Sequence, residues 1–586
     1  MRTSLAARWP NKRMRGRGRD PFHFGSGIAE TDIGTSRGRR IGAVILRLRL
    51  SGFIAVCVLL LGGFCSHLSA QDRNRSEPSP RKPLGVYAHV SVEDLIKGYP
   101  GPASPPAPPA QLHAYLRHMY AGVLADPAIS GLAVGMHWDH IQLSDPLCAL
   151  NHSCSSSPDG YDWSYLDDAF AEAGSAHKFV QLIITPGFDS PPWLLSKLSP
   201  CDGLFPPGTA TSLPDCGTVQ FANFPEDQRS DQFNGAFVLP LPWNRLYQAA
   251  WWDFLVHLNA RYNRNPTFVA MAVAEPVAGS DEFILPTSGN TDGMGNGNST
   301  HPPLGPPADD VWAALIQNSF PNNSAYQNTD QVFIDQWKLT MNAYERIFSG
   351  VTLFLGPDSG NDLPKFKQNP VLPMHFDNTL FAQDCSDAIT AAGSPNFDDT
   401  DYRSCEAKTE ILSYLLTVDG PNSNAKATQV GGMTASSDTA TGDIGLPGVK
   451  LLDSLAPPES PLLGGAEFDH AVSGSNSQRQ AVGCPPALGP NCTITPEQAA
   501  YYVLANFFDG TSFAGFYGGA SGSEPIQYLE IDIQDVQYAQ MNLCPNPPGL
   551  IIAGADVTLQ DLLNRASHDI FAMAGHPAPL PPLTCN

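Results

Sequence analysis

The sequence predicts an α/β protein: an eight-stranded parallel barrel wrapped by helices, of the TIM-barrel type. Three observations predict it. From residue 84 onward, short apolar runs alternate with amphipathic stretches of helical period, the pattern of repeated strand–helix units. Eight such runs can be traced before the C-terminus, which is the strand count of that barrel. The widest gaps follow the third, fourth and fifth runs, where barrel loops rise at the C-terminal face and build sites.

The elements follow in order. Residues 84–90 read as the first strand, the proline-rich 100–109 as a loop, and 111–125 as a helix with Leu112, Tyr115, Leu116 and Met119 on one face. Residues 131–136 are the second strand, and 161–176 a helix presenting Trp163, Leu166, Ala169 and Phe170. Residues 179–185 are the third strand. A helix over 246–262 feeds a fourth strand, 267–275, that ends in Glu275. A helix at 331–348 precedes strand five, 351–355, and a helix at 405–417 precedes strand six, 428–433. Strand seven is 462–467, ending in Glu467. Thr495 caps a helix at 496–508, residues 513–517 are strand eight, and 559–573 the closing helix. The intervening loops, 186–242, 276–330 and 356–404, are rich in Gly, Asn and Pro and read as ordered walls of a cleft.

Ahead of the barrel lies a different kind of chain. Residues 1–49 are arginine-rich, 51–64 form an apolar core too short to span a bilayer comfortably, and Leu68-Ser69-Ala70 is a small-residue cleavage site. Residues 1–70 are therefore expected to be a signal peptide with a long basic extension. Residues 71–83 are expected to be a disordered linker, and 84–586 one catalytic domain. Phe64 before Cys65 argues against a lipoprotein anchor, so no stable membrane anchor is expected, and the protein is placed outside the cell or in the periplasm.

Charge narrows the partners. The chain carries a net −23, and removing residues 1–70 leaves 22 basic against 54 acidic residues. Such a surface repels nucleic acid and anionic lipid and suits a neutral substrate. Of the 12 cysteines, ten lie after residue 70 in close pairs: Cys148/Cys154, Cys201/Cys216, Cys385/Cys405, Cys484/Cys492 and Cys544/Cys585. Disulfides in an oxidising compartment are the expectation. No C-x-x-C or H-x-x-x-H spacing accompanies them, so no metal and no cofactor is expected. Nucleophile-elbow, P-loop and dinucleotide fingerprints are also absent.

Two glutamates at strand ends carry the chemistry. Ala274-Glu275-Pro276 and Glu467-Phe468 resemble the motifs of the retaining TIM-barrel glycoside hydrolases, which place their catalytic glutamates at the ends of strands four and seven. The resemblance spans most of 84–575, although Ala274 stands where that clan has asparagine. It implies Glu275 as acid/base, Glu467 as nucleophile, and double displacement on a neutral oligo- or polysaccharide. Glu282 is an alternative acid. Trp138, Trp193 and Tyr517 are candidate sugar platforms, Trp193 also resembling the clan's Pro-Trp-Leu tryptophan after strand three, and His137 and His470 are candidate contacts. Trp251 and Trp252 read as core. Glu530, Asp532 and Asp535 read as a solvated acidic face after strand eight. The alternative function is a non-catalytic carbohydrate-binding barrel.

Overall fold

The structure is a computed structural model that describes most of residues 81–356, together with 426–430, 463–468, 495–507, 527–544 and most of 550–576. Eight strands form its centre: β1 (Gly85–Ser91), β2 (Ile129–His137), β3 (Phe179–Thr185), β4 (Phe268–Ala272), β5 (Thr352–Leu355), β6 (Lys426–Val430), β7 (Leu463–Phe468) and β8 (Tyr528–Asp532). Every neighbouring pair is parallel, and the ring closes where β8 pairs back onto β1, with Tyr87 opposite Glu530. The compact unit that holds them spans Pro78–Asn586.

Parallel strands need long crossovers, and helices supply them. Those that matter below are α1 (Val92–Lys97), α2 (Pro109–Leu124), α3 (Ser164–Ser175), α4 (Arg245–Tyr262), α5 (Ala308–Ser319), α6 (Gln331–Ile347), α7 (Pro496–Phe507), α8 (Ile533–Met541) and α9 (Leu559–Met573). Their starts are encoded locally. Ser91, the last residue of β1, accepts the Asp94 amide and caps α1. Asn244 accepts two amides at the start of α4, and Thr558 with Asp561 forms a reciprocal capping box on α9. Each helix turns one apolar stripe inward; on α4 the buried stripe is Tyr247, Ala250, Trp251, Phe254, Leu255, Leu258 and Tyr262.

Two cores result. One lies between strands and helices and includes Val86, Leu132, Leu182, Met271, Leu529 and Ile531. The other fills the barrel, with Tyr87, Ala133, Ile183, Ala270, Ala272, Phe354 and Tyr528 in contact. Leu529 and Ile531 thus face the helices while Tyr528 faces the barrel axis, the period-two alternation of a strand.

This corrects one expectation. The eighth strand is Tyr528–Asp532, and Glu530 is fully buried, as is Asp535 on α8. The alternation of acids with Leu529 and Ile531 suggests a solvated face, but for Glu530 the polar side is the barrel interior. Residues 513–517 lie outside the described residues. So does the helix expected at 405–417, apart from Ile411 and Tyr414. The other seven strands fall where expected, with β4 ending at Ala272 instead of Glu275.

The long loop after β3 contains a small sheet of its own, Ser199–Pro200 with Cys216–Ala222 and Ala236–Pro240. A Cys201–Cys216 disulfide staples it, and Cys148–Cys154 closes a ring after β2. Both pairings match the nearest-neighbour expectation, and Cys544 is also disulfide-bonded. Among the described residues no helix is long and apolar enough to cross a membrane.

Candidate active site

The C-terminal ends of β1, β2 and β3 bring together acids and histidines from three chain segments. Glu93 comes from the first turn of α1, where the Ser91 cap holds the backbone and a helix N-terminus favours a negative charge. His137 ends β2, and one helical turn beginning at Trp138 swings His140 to the same side. Asp189 follows β3 in a tight turn at Gly187, whose φ is +72°. A Cβ at Gly187 would come within 2.2 Å of the Ala278 carbonyl oxygen, so only glycine lets this turn lie against the segment after β4.

The group is tightly built. Glu93 is 4% exposed; its Oε1 accepts the His137 amide at 3.0 Å and lies 2.9 Å from His140 Nδ1. His137 Nδ1 sits between two acids, 3.9 Å from Glu93 Oε1 and 3.7 Å from Asp189 Oδ1. Thr185 donates its hydroxyl to Asp189 Oδ2 at 2.6 Å. The two imidazoles stack at 5.3 Å between centroids. Burial alone would push the Glu93 carboxyl up, but the His140 hydrogen bond and the nearby His137 outweigh it and hold Glu93 below the usual carboxylate range.

Glu275 lies elsewhere. It is 2% exposed, and its Oε2 accepts the Trp252 indole N–H at 2.9 Å and the Thr340 hydroxyl at 2.7 Å. Trp252 belongs to α4 and Thr340 to α6, the helices on either side of β4, so the carboxyl is wedged in the helical wall and does not project into the barrel mouth. The backbone is held from the same side. Tyr247 donates to the Glu275 carbonyl at 2.9 Å, while Trp251 and Tyr344 donate to that of Ala274 at 2.9 and 2.8 Å. Beyond the last strand residue, Ala272, the chain turns toward the helices: Val273 and Ala274 both join the helix-facing core. Burial pushes the Glu275 carboxyl up to about 7, against the two hydrogen bonds that favour its charged form.

The remaining site residues divide in the same way. Trp138 is fully buried against Trp251, Tyr247 and Phe254 and gives its N–H to Gln142 at 2.7 Å. Buried on all sides, it presents no face to a sugar and is core, which corrects the expectation. Trp251 is core as expected. Trp193 keeps a partly open ring, anchored by its N–H on the Gln142 carbonyl and covered by the Lys197 ammonium 5.0 Å from the ring centroid. Glu467 is the penultimate residue of β7, and its Cα is the register partner of Glu530 on β8. Glu282, His470 and Tyr517 lie outside the described residues. The chain on either side of Glu282 is anchored, however. The Ala278 amide donates to the Ile284 carbonyl at 2.8 Å, and Phe188, beside Asp189, donates to the Ala278 carbonyl at 2.6 Å.

Glu93, His140 and Asp189 are not singled out by sequence alone. The available signal is positional: each follows the end of an apolar run by no more than a few residues, as His137 does.

No protein-family model matches the chain, and no curated protein does. Among solved structures, the catalytic domain of beta-amylase from Paenibacillus polymyxa is similar at 11% identity, with a TM-score of 0.32, over 77% of this chain and 94% of that one. The α/β architecture described above rests on the strand pairings of this chain and not on that likeness.

Proposed function

We propose that the protein is a secreted glycoside hydrolase, a TIM barrel that cleaves a neutral oligo- or polysaccharide with retention of configuration. The observation that carries the reading is the place of Glu467. It stands at the C-terminal end of a central parallel strand, where barrels put their chemistry. In this reading the Glu467 carboxylate attacks the anomeric carbon, the glycosyl–oxygen bond breaks, and an acid delivers its proton to the leaving oxygen. Water then releases the sugar with the same acid acting as base.

The acid is drawn from the loop after β4. Glu275 is committed to Trp252 and Thr340 in the helical wall, which leaves Glu282 as the better candidate. The loop that carries Glu282 leaves and returns between Ala278 and Ile284, beside the end of β3. Trp193, partly open and with Lys197 over its ring, is the aromatic candidate for a sugar contact. The Cys148–Cys154 and Cys201–Cys216 disulfides and the expected signal peptide fit an oxidising compartment outside the cytoplasm.

The assignment of the acid is tested with two variants and two leaving groups. Glu282→Gln should lower kcat/KM roughly 10²–10⁴-fold on a glycoside with a poor leaving group. On a dinitrophenyl glycoside, whose leaving group departs without protonation, glycosylation should be nearly unaffected. Glu275→Gln should remain active on both. The reverse pattern would return the role to Glu275.

A non-catalytic carbohydrate-binding barrel is the second reading, favoured by Ala274 and the wall position of Glu275. Glycan binding without turnover across a broad panel would support it.

A further inference from the structure

An acid and two histidines converge at the C-terminal ends of β1 and β2. Glu93, His137 and His140 each offer one donor atom, and the three lie within 4.8 Å of one another. The separations from Glu93 Oε1 are 2.9 Å to His140 Nδ1 and 3.9 Å to His137 Nδ1. Ligands at about 2.0–2.2 Å around a tetrahedral ion stand about 3.3–3.6 Å apart, between the two measured values.

A second observation points the same way. Glu93 Oε2 is buried and has no hydrogen-bond partner among the described residues, although the residue is 4% exposed. A carboxylate oxygen left unsatisfied in the interior is costly, and a cation beside the carboxylate removes the cost. His140, at 39% exposure, gives the position access from solvent.

We propose that Glu93, His137 and His140 form a binding site for a divalent transition-metal ion of the zinc class, which clamps the C-terminal ends of β1 and β2. Two imidazoles and one carboxylate suit zinc better than a hard cation such as calcium or magnesium, which prefers an all-oxygen shell. Asp189 Oδ1 lies 3.7 Å from the same His137 Nδ1, so it adds negative charge beside the ligand atom. The site goes beyond the glycosidase reading and does not depend on it, because a metal here serves the fold whether or not the barrel turns over a substrate.

The test uses the secreted full-length chain, stripped with chelator and titrated with zinc, with metal stoichiometry and melting temperature as readouts. One zinc per chain and a rise in melting temperature are expected. His140→Ala replaces a partly exposed ligand and should fold, which circular dichroism checks; it should bind zinc at least roughly tenfold more weakly, as should Glu93→Gln. His257→Ala, an exposed histidine on α4 outside the group, should bind like the parent. Zinc binding that is absent in the parent, or unchanged in both His140→Ala and Glu93→Gln, overturns the proposal.

Discussion

Replacing Glu275 by glutamine isolates the energetic consequence of a buried acid in the helical wall. The carboxyl moves from an ordinary 4.5 in the unfolded chain to about 7 in the fold, and burial is the main cause. At pH below 4.5 it is protonated in both states and adds no pH dependence. Between 4.5 and 7 the unfolded chain releases the proton while the folded chain keeps it, so stability falls as pH rises, by about 1.4 kcal/mol per pH unit. Above pH 7 the full penalty of about 3 kcal/mol is in place. Glutamine is nearly isosteric, and its carbonyl can accept from Trp252 and Thr340 as Oε2 does now. Its amide takes the place of Oε1, which has no partner among the described residues, and it never ionises. The assay is urea unfolding of parent and Glu275→Gln at pH 5, 6, 7 and 8. The variant should match the parent within about 1 kcal/mol at pH 5 and exceed it by about 3 kcal/mol at pH 8. A stability difference that does not change with pH would refute the reasoning, because the carboxyl would then ionise alike in both states.

Trp138→Ala should cost about 3–5 kcal/mol of stability, read from the urea midpoint, because it empties a site packed by Trp251, Tyr247 and Phe254. Trp193→Ala should leave the midpoint within about 1 kcal/mol and weaken oligosaccharide binding measured by calorimetry, the opposite division of effects. Gly187→Ala should lower the melting temperature and loosen the β3–β4 contact, because the new Cβ would meet the Ala278 carbonyl at 2.2 Å in a left-handed turn. Faster amide exchange at Phe188, which now donates to that carbonyl, is the direct readout.

The barrel was legible because its strands are buried on both faces. Runs such as 179–185 and 268–272 are apolar almost throughout, as strands covered on both sides are. Strand eight was not, because Glu530 occupies an interior position that composition assigns to solvent. Its neighbours Leu529 and Ile531 then look like one face of an exposed hairpin. Glu275 shows a related limit. The place of a residue near a strand end can be read from a sequence, but β4 ends three residues before Glu275, and the direction of its side chain is set by the turn of the chain after Ala272 and by the Trp252 and Thr340 hydrogen bonds. Trp138 follows the end of β2 as a cleft aromatic would, yet the short turn after His137 carries it into the core. The Glu93–His137–His140 group was invisible for another reason: its members are separated by 44 and 3 positions and converge only because β1 and β2 are neighbours in the ring.

Glu467 carries the proposed chemistry, and one measurement tests it most directly. Glu467→Ala, checked for native circular dichroism, is assayed on an activated glycoside with and without sodium azide. The account predicts loss of turnover without azide and, with it, a glycosyl azide of inverted configuration, because the small anion takes the place of the missing carboxylate. Turnover at the parent rate in Glu467→Ala would contradict the account and remove Glu467 from the reaction.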